Sequence, residues 1–121
     1  MSFGPKSVKR EQKTALFMRE ISSLIQRLSQ DEPILIKVYV TKVKLSADYK
    51  ICYIYFSTYS DNKADFDSAL QVLKLYKPSM RKAVAESIGG RYTTDLIFLY
   101  DEAKEKERKI LSLLDKVKEE E

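Results

Sequence analysis

Between residues 34 and 58 the chain reads ILIKVYVTKVKLSADYKICYIYFST, two β-branched and aromatic runs separated only by Ser46, Ala47 and Asp48. Ile34, Ile36, Val38 and Val40 alternate with other residues, which is the period of a half-buried strand. A parallel pair needs a crossover of about a dozen residues or more, so a connection this short makes residues 34–45 and 49–58 an antiparallel hairpin. An isolated hairpin is marginal in water, and the rest of the 121 residues must supply further strands and a covering layer.

The flanking segments supply both. Phe17, Ile21, Leu24, Ile25 and Leu28 fall at helical spacing, with Lys9, Arg10, Lys13 and Arg27 mostly on the other sides, which predicts an amphipathic helix over residues 7–29. Ser7 is a candidate cap, and Pro33 lies beyond the end. After the hairpin, Phe66, Leu70 and Leu73 continue a helical period that resumes at Met80, Val84 and Ile88, with Pro78 between the two halves. A proline inside a helix costs about 3 kcal/mol, because it removes a donor and clashes with the carbonyl four residues back. Proline also disfavours helical geometry at the residue before it and suits the start of a helix, so two consecutive helices meeting at an angle are expected. Gly89 and Gly90 then end the second. Residues 94–100 read as a third strand, and 101–121 as a charged helix with Ile110, Leu113, Leu114 and Val117 on one stripe and a glutamate-rich end that frays.

The order is α-β-β-α-α-β with a C-terminal helix, in one domain spanning 1–121 with its core over about 7–100. It describes an α+β fold with helices packed on one face of a three-stranded sheet. It is also the order of a type II KH-like domain.

Composition closes several chemistries. The chain has no histidine, so it has no Ser-His-Asp or Cys-His pair and no imidazole zinc site. GxxxxGK[ST] and GxGxxG are absent, and three glycines leave little for a phosphate-cradling loop. The acidic pairs Asp31 with Glu32, Asp65 with Asp67 and Asp101 with Glu102 sit at element boundaries, where they read as caps rather than as a catalytic acid and base. Cys52 lies in a strand and reads as a small core hydrophobe. No enzymatic activity, cofactor, metal or small-molecule substrate is expected. A single cysteine suits a reducing compartment, and no apolar run has the length of a secretory signal core or a membrane span, so a cytoplasmic protein without a membrane partner is expected.

The net charge of +4 is unevenly placed. Residues 1–100 hold 16 basic and 10 acidic side chains, whereas 101–121 hold 6 and 8. A positive body of this kind is compatible with nucleic acid.

Three stretches carry a resemblance: VKREQKTALFMREISSLI, VYVTKVKLSADYKICYIYFS and, above all, MRKAVAESIGGRYTTDLIFLYDEA. In the last, a Met-Arg pair, a second arginine ten positions on, and a strand with an aromatic residue that ends in aspartate are met in order by Met80, Arg81, Arg91, Phe98 and Asp101. From about residue 8 to 114 the chain resembles ribosome-binding factor A, a family of small bacterial proteins with a KH-like fold. The resemblance departs in two places. Tyr76, Lys77 and Pro78 stand where the family carries a small Ala-x-Gly kink, and Thr94 where it tends to have a proline.

The resemblance implies a monomer that binds the immature small (30S) ribosomal subunit, contacts 16S rRNA near the decoding-site neck and assists late processing of the rRNA 5′ end. It also implies release before translation and a role in growth in the cold. The competing readings are a KH-like RNA-binding protein outside ribosome assembly and a protein-interaction adaptor.

RNA contact needs cations for phosphates and planar groups for bases. Lys74, Lys77, Ser79, Arg81 and Lys82 cluster at the expected break, where a helix N-terminus would face outward. Arg91 follows the glycine pair and could reach RNA or pair with Glu86. Lys6, Lys9, Arg10 and Lys13 form a second basic stretch that reads equally as a solvated face, and Tyr76 either stacks on a base or packs against the first helix.

Overall fold

The hairpin forms as its short connection requires. In the computed structural model, which describes the backbone over residues 5–89 and 94–120 and the side chains over 9–89, 94–107, 109–111 and 113–114, strand β1 (Val38–Leu45) pairs antiparallel with β2 (Ile51–Thr58). The turn is longer than the pattern suggested. Tyr49 takes a left-handed backbone (φ 61°), and the Asp48 carboxylate accepts from the Lys50 amide at 3.1 Å, so both residues belong to the turn rather than to β2. At the other end, residues 34–37 are not strand. Pro33–Lys37 form a 3-10 turn that buries Leu35 and leaves Ile36 64% exposed, the reverse of the alternation read there. Proline at the first position fixes the helical φ that starts it.

Helix α1 (Pro5–Leu28) lays Phe17, Ile21 and Ile25 against the sheet. Helix α2 (Lys63–Ile88) follows β2, opened by Asn62, whose side chain accepts from the Ala64 amide at 3.0 Å. Gly89 closes it at φ 70°, its amide bonding the Ala85 carbonyl at 3.0 Å, as the glycine predicted. Gly90 lies outside the described residues. Strand β3 (Asp95–Tyr100) then pairs parallel with β2, giving a mixed sheet of order β1-β2-β3, with α2 as the crossover a parallel pair demands. The fold is α+β and KH-like, and the two long helices share one face of the sheet.

Pro78 does not divide the chain into two helices: α2 is continuous through it. Leu73 lies before the proline and Met80 and Val84 after it, and all three are buried against the sheet. Each such burial contributes roughly 1.5–3 kcal/mol. Together they exceed the roughly 3 kcal/mol that the proline costs. Pro78 and Lys74 are both exposed, so water can take the Lys74 carbonyl, to which the proline has no N–H to donate. The outward-facing helix N-terminus expected beside Ser79 therefore does not exist.

Among the described residues, the Asp101 side chain ties the start of helix α3 (Glu102–Glu120) to the sheet. The register of β1 shifts between Val40 and Lys42, leaving Thr41 as a bulge residue whose hydroxyl donates to Asp101 Oδ2 at 2.6 Å. Asp101 Oδ1 accepts from the Lys104 amide at 3.0 Å, and the Asp101 amide bonds the Phe56 carbonyl at 2.7 Å. Asp101 is thus the cap the sequence suggested. Burial pushes its carboxyl up, but the Thr41 hydroxyl, the Lys104 amide and the charges of Lys42 and Lys104 outweigh that and hold it below the ordinary aspartate value.

Two expectations follow. Pro78→Ala restores a donor to a helix that is already continuous, so urea unfolding should show a gain of about 1–3 kcal/mol; a loss would mean that the helix depends on the proline. Asp101→Ala removes a cap and a bulge contact and should cost about 2 kcal/mol at pH 7. Because the native carboxyl is depressed, that advantage is fully present above the ordinary pKa of about 3.9. It should fade as pH falls through the native value, read as converging melts of the two proteins.

Candidate nucleic-acid interface

Strand β3 starts beside the hairpin turn. The Asp95 amide bonds the Lys50 carbonyl at 2.8 Å and the Thr94 hydroxyl donates to the Tyr49 carbonyl at 2.9 Å, joining turn and strand at one end of the sheet. The left-handed conformation of Tyr49 costs a non-glycine residue roughly 1–2 kcal/mol, and these bonds help hold it. Its ring lies under two cations of α1. The Arg10 guanidinium sits 5.3 Å and the Lys13 ammonium 4.5 Å from the ring centroid, and Arg10 also donates to the Leu45 carbonyl. Arg10 and Lys13 are therefore held groups, not a freely solvated face.

Helix α2 reaches the same end. It runs antiparallel to α1, since Ser87 near its C-terminus donates to Glu20 at 2.8 Å while Tyr76 further back donates to Glu32 at 3.0 Å. Lys77 Nζ lies 3.2 Å and Arg81 Nε 3.8 Å from Asp95 Oδ1. Burial pushes the Asp95 carboxyl up, but Lys77 by hydrogen bond and charge, the Leu96 amide and Arg81 hold it below the usual range. Lys74, Ser79 and Lys82 are exposed beside this pair, and Pro78, Arg81, Lys82, Ala85 and Glu86 line a shallow groove along the helix.

Of the residues singled out from sequence, Arg10, Lys13, Lys77 and Arg81 converge on the end of the sheet where β3 begins. Lys74, Ser79 and Lys82 continue the basic surface along α2, and Lys9 is exposed on α1. Arg91 lies outside the described residues, as does the side chain of Lys6. Tyr76 is committed to the fold: it packs against the core and its hydroxyl bonds Glu32 just past α1, which also raises its pKa. Sequence reasoning missed Tyr49, Lys50 and Asp95. The partners of Tyr49 lie more than thirty residues away, in α1 and at Thr94 just before β3, so no local pattern marks it.

The arrangement presents several positive groups, some of them fixed by a ring or a carboxylate, at one rim of a rigid sheet. Such an array suits phosphates. Burial pushes the Cys52 thiol up to about 12, which makes it an inert core residue.

Residues 9–114 match the family model described as ribosome-binding factor A. The ribosome-binding factor A of Clostridium tetani is 36% identical over 103 residues, covering 85% of this chain and 84% of that protein. That of Halothermothrix orenii is 34% identical over 106 residues, covering 88% and 85%. Among solved structures, ribosome-binding factor A from Thermus thermophilus superposes with a TM-score of 0.64 at 24% identity, covering 75% of this chain and 93% of that one, a likeness of fold.

Asp95→Asn should release Lys77 and Arg81 at a cost below about 1 kcal/mol, because a half-exposed ion pair is screened by water. In urea melts the difference should disappear as pH falls through the depressed native pKa of Asp95. A loss of several kcal/mol at pH 7 would show instead that the pair anchors β3.

Proposed function

We propose that this chain, which belongs to the ribosome-binding factor A family, binds the immature small ribosomal subunit and assists late maturation of 16S rRNA, including processing of its 5′ end. It acts in the cytoplasm as a monomer, positions RNA and catalyses nothing, and its loss is felt most in the cold. The observation that carries this reading is the joining of two separate basic stretches, one on α1 and one on α2, at the end of the sheet where β3 begins. Lys74, Lys77, Ser79, Arg81 and Lys82 meet the RNA along α2, with Lys9, Arg10 and Lys13 meeting it from α1 and Arg91 from the segment that leads into β3.

The structure shifts the choice of variants. Reversing Arg81 would also break its contact with Asp95, whereas Lys74 and Lys82 are exposed and can be reversed without that loss. Lys74→Glu with Lys82→Glu should leave the thermal melt unchanged, weaken co-sedimentation with small subunits at least tenfold, and let precursor 16S rRNA accumulate in cold-grown cells. Binding should also weaken linearly in log[salt]. Unchanged co-sedimentation of the double variant would remove α2 from the interface, and salt-insensitive binding would favour a protein adaptor.

A further inference from the structure

The sheet has a second face, turned away from α1 and α2. The pairing register places two cross-strand rows on it, Lys44 beside Tyr53 beside Ile97, and Lys42 beside Tyr55 beside Leu99. These positions alternate with the inward residues Val43, Leu45, Cys52, Ile54, Leu96 and Phe98, all buried in the core. Each row thus runs from a cation on the edge strand through a tyrosine to an aliphatic residue. Both lysines are exposed and both tyrosines half-buried. Among the described residues of α3, the apolar side chains Ile110, Leu111, Leu113 and Leu114 do not cover them, since they remain 55–62% exposed.

We infer that this face is a second RNA surface, on which Tyr53 and Tyr55 stack two successive bases of a single strand while Lys44 and Lys42 hold its phosphates. The inference rests on the RNA-binding reading above but uses residues that reading does not. Tyrosines two apart on one strand are about 7 Å apart. That is roughly double the ~3.4 Å per nucleotide of a stacked strand, and it suits an extended one whose bases are splayed onto aromatic groups.

Charge favours RNA over a protein partner. The basic residues of the rows are Lys42 and Lys44, Lys50 is exposed at the adjoining turn, and the two nearby aspartates are engaged, Asp95 by Lys77 and Arg81 and Asp101 by the Thr41 hydroxyl and the Lys104 amide. In the free protein the Lys42 ammonium sits 4.6 Å from the centroid of Tyr55, a flexible cap that moves from ring to phosphate when a base arrives.

The test uses the full chain and a fluorescent single-stranded decauridine, followed by anisotropy beside sedimentation with small subunits. Tyr53→Thr and Tyr55→Thr keep strand propensity and should each weaken decauridine binding about tenfold, while Tyr53→Phe and Tyr55→Phe should retain it. Lys42→Gln and Lys44→Gln should each make log K less steep in log[salt] by about 0.7. Lys74→Glu with Lys82→Glu should lose subunit binding yet keep the response of decauridine to the tyrosine variants. Unchanged decauridine affinity in the double threonine variant, or wild-type protein that sediments with subunits but ignores decauridine, would overturn the inference and leave the α2 reading standing. A threonine variant that binds decauridine normally but no longer sediments with subunits would also overturn it, by making the face a protein contact.

Discussion

The burial of α2 against the sheet is the constraint on which the rest depends. A strand can lie parallel to its neighbour only if the chain crosses back over the sheet, and α2 makes that crossing in one continuous run from Lys63 to Ile88. Because Leu73, Met80 and Val84 all seat in the same core, the two halves on either side of Pro78 cannot turn independently. This alignment carries Lys77 and Arg81 to Asp95 and brings the C-terminal turns of α2 beside Phe17 and Lys13 of α1. A helix broken at Pro78 would aim its second half elsewhere and separate the basic groups now gathered at one end.

That same alignment explains where the sequence was legible. Helices, hairpin and third strand follow from periodicity, and Gly89 and Asp101 marked ends correctly because capping is a local chemistry. Pro78 misled because its cost is local while the burial that outweighs it is tertiary. Ile34 and Ile36 misled for a related reason: alternating apolar residues fit a strand, but a turn that begins on Pro33 buries Leu35 between them instead. The basic residues of the site could be named, yet their grouping could not, since it depends on Asp95 and Tyr49, each distant in sequence from the cations it holds.

The tyrosines show how one residue type divides its work according to the backbone beneath it. Tyr76 is drawn inward by α2 and finds a carboxylate for its hydroxyl, so it serves the fold. Tyr49, in a turn that only a few backbone conformations can close, offers its ring to Arg10 and Lys13. Tyr53 and Tyr55 point away from the core because Cys52, Ile54 and Phe56 occupy the alternate positions of β2. From sequence alone these uses are indistinguishable; pleat and turn geometry separate them.

Two RNA surfaces on one small sheet would have different physical characters. The rim formed by α1, α2 and the start of β3 is built from long cations, several already engaged by a ring or a carboxylate, and its attraction is to phosphate whatever the sequence. The outer face is flatter and aromatic, and it demands unpaired bases, which a folded helix of RNA withholds. A protein with both would hold a duplex by its backbone at the rim while capturing an adjoining single strand on the sheet. It would therefore distinguish an rRNA whose neighbouring strand is still free from one in which that strand has already paired. Discrimination of that kind needs no catalysis and no conformational change in the protein, only that stacking on Tyr53 and Tyr55 be lost when the RNA's own pairing offers those bases a better partner.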